Sequence, residues 1–371
     1  MRIVVTGGGT GGHIYPALAL IRHINRKYDR SEVLYIGTDS GMEATIVPKE
    51  QVPFKTVKIS GFKRKLSLDN VKTVFRFLKA VSTAKQHLRT FKPDVVVGTG
   101  GYVCGPVVYA AAKLGIPTVI HEQNSVPGLT NRFLARYVDK IITSFPVLGD
   151  SFPENKTEML GNPRASEVVC HVQKDSAGYA GESGLDPAKP TILAVGGSRG
   201  ARPVNEAVTA LIPLMAKSKY QLIFVTGESH YEDAMKALHD ANMGDRVHVV
   251  PYVHNMPAVL KEVDLVIARA GATTMAEITA LGLPSVLIPS PYVTNNHQEK
   301  NARLLEQQGA SQVILEKDLS GQALFDSLTE ILSNQEKILK MKDAAASIGR
   351  PEAARDMTKL IEDLILDQRK G

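Results

Sequence analysis

The chain has 371 residues, 43% of them hydrophobic and 22% charged; this balance belongs to a soluble globular protein, and at about 100–200 residues per domain it allows two domains with a core each. Its two cysteines, Cys104 and Cys170, exclude a disulfide scaffold and read as reduced, mostly buried thiols of a cytosolic protein, while no His/Cys spacing points to a metal and no apolar stretch approaches the ~18 residues of a membrane-crossing helix. The net charge of +6 is uneven: residues 1–162 hold 22 Lys/Arg against 12 Asp/Glu, and residues 163–371 hold 22 against 26, so the first half suits an anionic surface, nucleic acid or an acidic ligand.

In chain order, a strand begins at once with Arg2-Ile3-Val4-Val5, with no signal-peptide pattern. It passes through Gly7-Gly8-Gly9-Thr10-Gly11-Gly12-His13 into a helical pattern near Pro16. Short β-branched runs at Val33–Ile36, Val95–Val97, Thr118–Ile120 and Lys140–Thr143 then alternate with helix-length segments. Gly161-Asn162-Pro163 reads as a break before a second domain, and residues 173–190 as a polar surface loop. The plan then repeats: Thr191–Val195, the turn Gly196-Gly197-Ser198-Arg199-Gly200, and a helical pattern near Val204. Further strands are expected at Gln221–Val225, Val247–Val250, Leu265–Ala268 and Ser285–Ile288. Such alternation predicts an α/β protein with one parallel, helix-covered sheet per half. After Gly349-Arg350-Pro351, the segment Glu352–Leu366 has apolar residues at helical spacing; it can cap the second domain or cross back to the first.

The glycine loops carry the chemistry. Glycine lets backbone N–H groups approach a ligand, and a following helix N-terminus favours anions. Gly7, Gly9 and Gly12 fit the dinucleotide pattern G-x-G-x-x-G, but the ribose-binding acid is misplaced: Glu32 precedes the second strand, and Asp39 follows it too far on. A second glycine turn, Gly98-Thr99-Gly100-Gly101-Tyr102, follows Val95–Val97. With the first it forms a candidate cradle for an acceptor diphosphate, at Gly9, Gly100, Gly101 and Tyr102. The turn before Ala272 opens a helix whose first N–H groups suit a leaving diphosphate. The D-x-D pattern with which many transferases hold a divalent ion is absent.

Several motifs occur together and in order: Gly8-Gly9-Thr10-Gly11-Gly12-His13, Gly100-Gly101-Tyr102, His121-Glu122-Gln123-Asn124 and Gly161-Asn162-Pro163-Arg164 in the first half, then Gly196 to Ala201, Arg269-Ala270-Gly271-Ala272 with Glu277, and Asn296 through Asn301. Through them the chain resembles the MurG family of bacterial peptidoglycan N-acetylglucosaminyltransferases along nearly its whole length. The resemblance implies a GT-B fold, two Rossmann-like domains with parallel sheets facing across a cleft. Residues 1–162 would take the acceptor and the membrane, and residues 163–350 the UDP-sugar donor. It implies transfer of N-acetylglucosamine from UDP-N-acetylglucosamine to the 4-hydroxyl of an undecaprenyl-diphosphate-linked N-acetylmuramoyl-pentapeptide, with inversion and no cofactor. By motif, the donor is expected at Thr10, Gly11, Gly12, Asn124, Arg164, Ser198, Val253, Ala272, Thr273, Thr274, Met275, Ala276, Glu277 and Gln298. Glu277 suits ribose hydroxyls, Ser198 diphosphate oxygens, and Gln298 with Asn124 the sugar hydroxyls.

Transfer to an alcohol needs a base, and a histidine near its ~6.5 reference pKa suits that task. His13, at the start of the first helix, is the first candidate, and Glu122 is its rival. Residues 55–92 hold eleven Lys/Arg and one acid, Asp69, around Val71, Val74, Phe75, Leu78 and Val81 at helical spacing. This reads either as a core stripe with a solvated basic face or as a basic helix on anionic lipid. In the second reading Lys72, Phe75, Arg76, Leu78, Lys79 and Val81 touch a membrane, and the protein is peripheral on the cytoplasmic face of the cell membrane. Without interleaved aromatics the cluster does not suit nucleic acid. A glycolipid synthase of the same fold, a UDP-N-acetylglucosamine 2-epimerase and a nonenzymatic nucleotide-sugar sensor are the competing readings.

Overall fold

The computed structural model describes residues 1–59, 68–174, 179, 183–197 and 200–370, with backbone only for 68–74 and 174. Lys63, Arg64, Lys65, Ser198 and the side chains of Val71, Lys72 and Val74 therefore lie outside the described residues. Two compact units form, Met1–Ser166 with Glu352–Gly371, and Glu167–Pro351; the partition falls four residues and one residue beyond the expected 162 and 350.

The first unit holds β1 (Arg2–Thr6), β2 (Glu32–Gly37), β3 (Phe54–Thr56), β4 (Val95–Gly98), β5 (Thr118–Glu122), β6 (Lys140–Thr143) and β7 (Thr157–Met159). They pair in parallel in the order β3-β2-β1-β4-β5-β6-β7. Side chains alternate across each strand, and both faces are apolar as a helix-covered parallel sheet requires. Ile3 and Val5 pack under α1 (Gly11–Lys27), whose buried Ile14, Leu18, Ile21 and Ile24 follow helical spacing. Val4 faces the other way, onto residues of α3 (Leu68–Phe91) and α4 (Cys104–Lys113). Two further helices complete the first part, α2 (Glu43–Lys49) and α5 (Leu129–Leu134), while α6 (Pro163–Lys174) starts in the first unit and continues into the second.

The second unit repeats the plan with β8 (Thr191–Val195), β9 (Gln221–Val225), β10 (Val247–Val250), β11 (Leu265–Ala268), β12 (Ser285–Leu287) and β13 (Ser311–Val313). The parallel order is β10-β9-β8-β11-β12-β13. Its helices are α7 (Arg202–Leu211), α8 (Tyr231–Asp240), α9 (Met256–Glu262), α10 (Ala272–Ala280), α11 (His297–Gln307), α12 (Gly321–Leu332) and α13 (Gln335–Ile348). In each unit the first strand in sequence lies between the second and the fourth, β2 and β4 about β1, β9 and β11 about β8. That reversal is the topological switch point at which ligands bind, beyond the carboxyl ends of the strands.

The last helix, α14 (Ala353–Lys370), belongs to the first unit. Met357, Leu360, Ile361 and Ile365 enter the same core as Ile3, Val5 and the buried face of α1. Glu362 accepts from the Tyr28 hydroxyl and pairs with Lys27, and Arg369 pairs with Asp94 at 2.9 Å. Among the described residues no helix is long and apolar enough to cross a membrane.

Candidate active site

At the switch point of the first unit, adjacent strands β1 and β4 both end in glycine loops. The Gly8 N–H donates to the Gly100 carbonyl at 3.2 Å, joining the two. His13, in the first turn of α1, is clamped over this junction. Its Nδ1 lies 2.8 Å from the Gly8 carbonyl; a carbonyl only accepts, so Nδ1 carries a proton, and in the neutral ring the lone pair is then on Nε2. The ring rests against Gly100, where an added Cβ would stand 2.6 Å from Cδ2 and 3.0 Å from Nε2. With φ of +106°, that position is open to glycine on backbone grounds as well. The Thr99 hydroxyl donates to the His13 carbonyl at 2.8 Å. Thr10 caps α1 with its extended backbone and no side-chain bond to a helix N–H; its hydroxyl lies 3.3 Å from His13 Nδ1, a second and longer contact beside the Gly8 carbonyl, and the first-turn N–H groups of Gly11 and Gly12 lie outside the helical ladder. Gly101 backs onto the Gly8 carbonyl, and Tyr102 lies beside Gly9. The four residues expected to hold an acceptor diphosphate therefore gather around His13.

Two residues that hold this junction, one unnoticed in the sequence and one read there only as a buried thiol, were not among the expected site residues. Glu43, on α2, is fully buried beneath the first loop. It accepts from the Gly9 N–H at 3.0 Å and from Thr38 through N–H (3.1 Å) and hydroxyl (2.6 Å). Cys104 accepts from the Gly100 N–H at 3.2 Å and stands 3.0 Å from the Thr6 and Gly100 carbonyls. Burial pushes its thiol up to about 12, which makes it a buried packing and hydrogen-bonding group and not a nucleophile. Cys170 is half-buried. Neither Glu43 nor Cys104 forms part of a spaced motif, so only its partners reveal it.

Glu122 has a different setting from that of a base. It is 2% exposed. Its oxygens accept from the N–H groups of Asn124 (3.1 Å) and Gly128 (3.0 Å) and from Asn131 Nδ2 (2.9 Å). The carboxylate is occupied in closing the turn after β5, and that turn positions Asn124. Beside it, burial lowers the pKa of His121 to about 4, keeping the ring neutral. Its Nε2–H points to the Gly161 carbonyl (3.1 Å) and Ser144 Oγ (3.0 Å), while its Nδ1 accepts from Gln123, which also donates to the Thr99 carbonyl at 2.6 Å. The network ties the ends of β4, β5 and β6 together. Arg164 follows an Asx turn, in which its N–H donates to Asn162 Oδ1 at 3.1 Å.

In the second unit, β11 runs through Gly271 into α10. Gly271 caps the helix with no side-chain bond, and no acid occupies the first turn. The N–H groups of Ala272, Thr273 and Thr274 precede the first helical bond, Met275 N–H to the Gly271 carbonyl. Thr273 Oγ1 is buried there with no hydrogen-bond partner among the described residues. Glu277 stands one turn further, on the same face as Thr273. Arg269 is held back from this helix start: it pairs with Glu316 at 2.6 Å and donates to the Ile288 carbonyl. Gln298 Oε1 accepts from the Ser290 N–H at 2.9 Å, so a ligand would meet its Nε2. Val253 is buried, next to the exposed Tyr252.

On α3, Phe75 and Leu78 are 69% and 57% exposed, and Arg76 and Lys79 are exposed with them. Val81 corrects the expected membrane set: it is buried in the core of the first unit. Two three-residue steps at 100° per residue bring it 120° round from Phe75, to the inner side of the helix. The apolar surface instead continues onto α5, which carries no periodic signal in so short a helix. Phe77 meets Phe133 edge-on at 6.0 Å, and Phe133 meets Tyr137 at 5.3 Å. Leu129, Phe133 and Tyr137 are exposed beside Arg132 and Arg136, and Lys113 lies over Tyr137.

Comparison with known proteins agrees with this architecture. Residues 3–143 match the glycosyltransferase family 28 N-terminal domain and residues 191–360 its C-terminal domain. The fold and its paired switch-point loops are thus those of a two-domain, GT-B glycosyltransferase. The chain is 54% identical over 367 residues to a UDP-N-acetylglucosamine–N-acetylmuramyl-(pentapeptide) pyrophosphoryl-undecaprenol N-acetylglucosamine transferase of Bacillus cytotoxicus, covering 98% of this chain and 100% of that one. The crystal structure of Acinetobacter baumannii MurG superposes with a TM-score of 0.78 at 28% identity, over 98% and 99% of the two chains. This chain belongs to the MurG family of N-acetylglucosamine transferases. A UDP-GlcNAc 2-epimerase from Neisseria meningitidis, at 16% identity and a TM-score of 0.68 over 99% and 100% of the chains, shares the fold alone.

Proposed function

We propose that this chain transfers N-acetylglucosamine from UDP-N-acetylglucosamine to an undecaprenyl-diphosphate-linked N-acetylmuramoyl-pentapeptide, as a hexosyltransferase of peptidoglycan synthesis. The observation that carries the chemical part is the His13 imidazole, fixed by the Gly8 carbonyl with its proton on Nδ1. The acceptor's 4-hydroxyl oxygen attacks the anomeric carbon of the donor sugar, and its proton passes to Nε2 of His13. The bond from the anomeric carbon to the phosphate oxygen breaks, UDP leaves with the electron pair, and the configuration inverts. In the second unit, the amides at the start of α10 meet the departing diphosphate's charge, and Thr273 Oγ1 supplies a hydroxyl that has no partner among the described residues. Glu277 accepts from the ribose, Val253 flanks the base, and Gln298 donates to the sugar through Nε2. In the first unit Thr10, Gly11, Gly12, Asn124 and Arg164 complete the donor set, and the acceptor diphosphate falls to Gly101 and Tyr102, because the Gly9 and Gly100 N–H groups expected to join them are given to Glu43 and Cys104.

Replacing His13 with Ala should lower kcat about 10²–10⁴-fold, with UDP-N-acetylglucosamine affinity within a few-fold of the parent. A near-parental kcat would remove His13 as the base.

The reading extends to the membrane. Phe75 and Leu78 of α3, with Leu129, Phe133 and Tyr137 around α5, form an apolar patch edged by Arg76, Lys79, Arg132 and Arg136. Such a patch suits insertion among anionic headgroups, each nearby cation adding about 1 kcal/mol. It would keep the enzyme at the surface that carries its lipid acceptor, on the cytoplasmic face.

A further inference from the structure

Glu43 is a fully buried carboxylate in a pocket walled by glycines. A Cβ on Gly8, Gly37 or Gly41 would stand 2.4, 2.7 or 2.3 Å from Glu43 side-chain atoms. A buried carboxylate is costly unless its oxygens are satisfied, and here they are: Oε1 takes Thr38 N–H and hydroxyl, and Oε2 takes the Gly9 N–H at 3.0 Å. The Gly9 N–H and the Gly8 carbonyl belong to one peptide plane. In a trans peptide these two groups point in opposite directions, and the chain contains no cis peptide among the described residues. A carboxylate that draws the N–H down therefore turns the carbonyl the other way. That carbonyl lies 2.8 Å from His13 Nδ1.

We infer that Glu43 is a positioning residue for His13, acting through the Gly8–Gly9 peptide. Holding the plane in this orientation keeps the proton on Nδ1 and the accepting lone pair on Nε2. Glu43 touches no reacting atom. A backbone peptide here links carboxylate and imidazole, where a carboxylate more often bonds the ring directly. The inference rests on His13 being the base, and the experiment separates the two claims.

The test uses Glu43→Gln, whose amide NH2 turned to the Gly9 N–H would oppose donor to donor. Steady-state kinetics should show kcat falling about 10- to 100-fold with the KM for UDP-N-acetylglucosamine within about twofold. The double variant with His13→Ala should be no slower than His13→Ala alone. With ¹⁵N-labelled histidine, NMR of the parent should show His13 protonated on Nδ1, and Glu43→Gln should mix the tautomers. Should Glu43→Gln fail to fold, Thr38→Val removes one anchor of the same carboxylate, and the same readouts should move in the same direction, less far. A folded variant with parental tautomer signals and parental kcat overturns the inference, as does a further loss on top of His13→Ala. A parental rate for His13→Ala alone removes the base instead, while the tautomer spectrum still reads whether Glu43 holds the ring.

Discussion

His121 demonstrates how burial at the rim of the first unit's glycine loops becomes a dependence of stability on pH. Its pKa of about 4 in the folded chain lies below the ~6.5 of an exposed histidine. As pH falls, the unfolded chain takes up the proton first. The stabilisation by neutral His121 is therefore complete above about pH 6.5 and is lost between 6.5 and 4, by up to about 3 kcal/mol. Urea unfolding at pH 7 and pH 5 should find that His121→Gln loses about 2 kcal/mol less on acidification than the parent; equal losses would contradict this. At the same scale, sequence reading found the residues that sit in motifs. His13 stood out because it ends a glycine run. Glu122 read as a rival base because nothing nearby in sequence announces its partners; Gly128 and Asn131, six and nine residues on, close around it only in the fold. Glu43 reaches Gly9 across 34 residues and gave no signal at all.

Elements were legible where they are long and periodic. Strands β1, β2, β4, β5, β6 and β8–β12 lie where short β-branched runs predicted them. The edge strands β3, β7 and β13, of three residues each, are too short to show alternation. Helix α1 starts at Gly11, five residues before the pattern that begins near Pro16, because glycines are poor helix formers and hide a first turn held by tertiary contacts. The amphipathic face of α14 was visible, and its destination was not: choosing between two cores needs the partner surface, here α1 and the β1 side of the first sheet. Ile361 is fully buried in that contact. Ile361→Ala should cost about 2–5 kcal/mol in equilibrium unfolding. A loss below about 1 kcal/mol would mean that α14 is not part of this core.

At the scale of the molecule, one plan is used twice, a parallel sheet whose switch-point loops present backbone amides. In the proposed reaction each unit carries its own chemistry, with His13 in the first and the uncapped start of α10 in the second. The basic bias of residues 1–162 finds a use if the exposed apolar patch of α3 and α5 meets lipid. Binding to vesicles should then rise with anionic lipid, fall with salt and drop about tenfold or more for Phe75→Ser with Leu78→Ser, while transfer to a detergent-dispersed acceptor stays near parental. Indifference to lipid charge and to both substitutions would exclude the patch as a membrane contact. The most direct test of the whole account is a transfer assay with UDP-N-acetylglucosamine labelled in its sugar and the undecaprenyl-diphosphate-linked N-acetylmuramoyl-pentapeptide as acceptor. One UDP should be released for each labelled sugar recovered in the lipid product, linked through the 4-hydroxyl. UDP release without labelled lipid, or label recovered as an epimerised sugar, would contradict it.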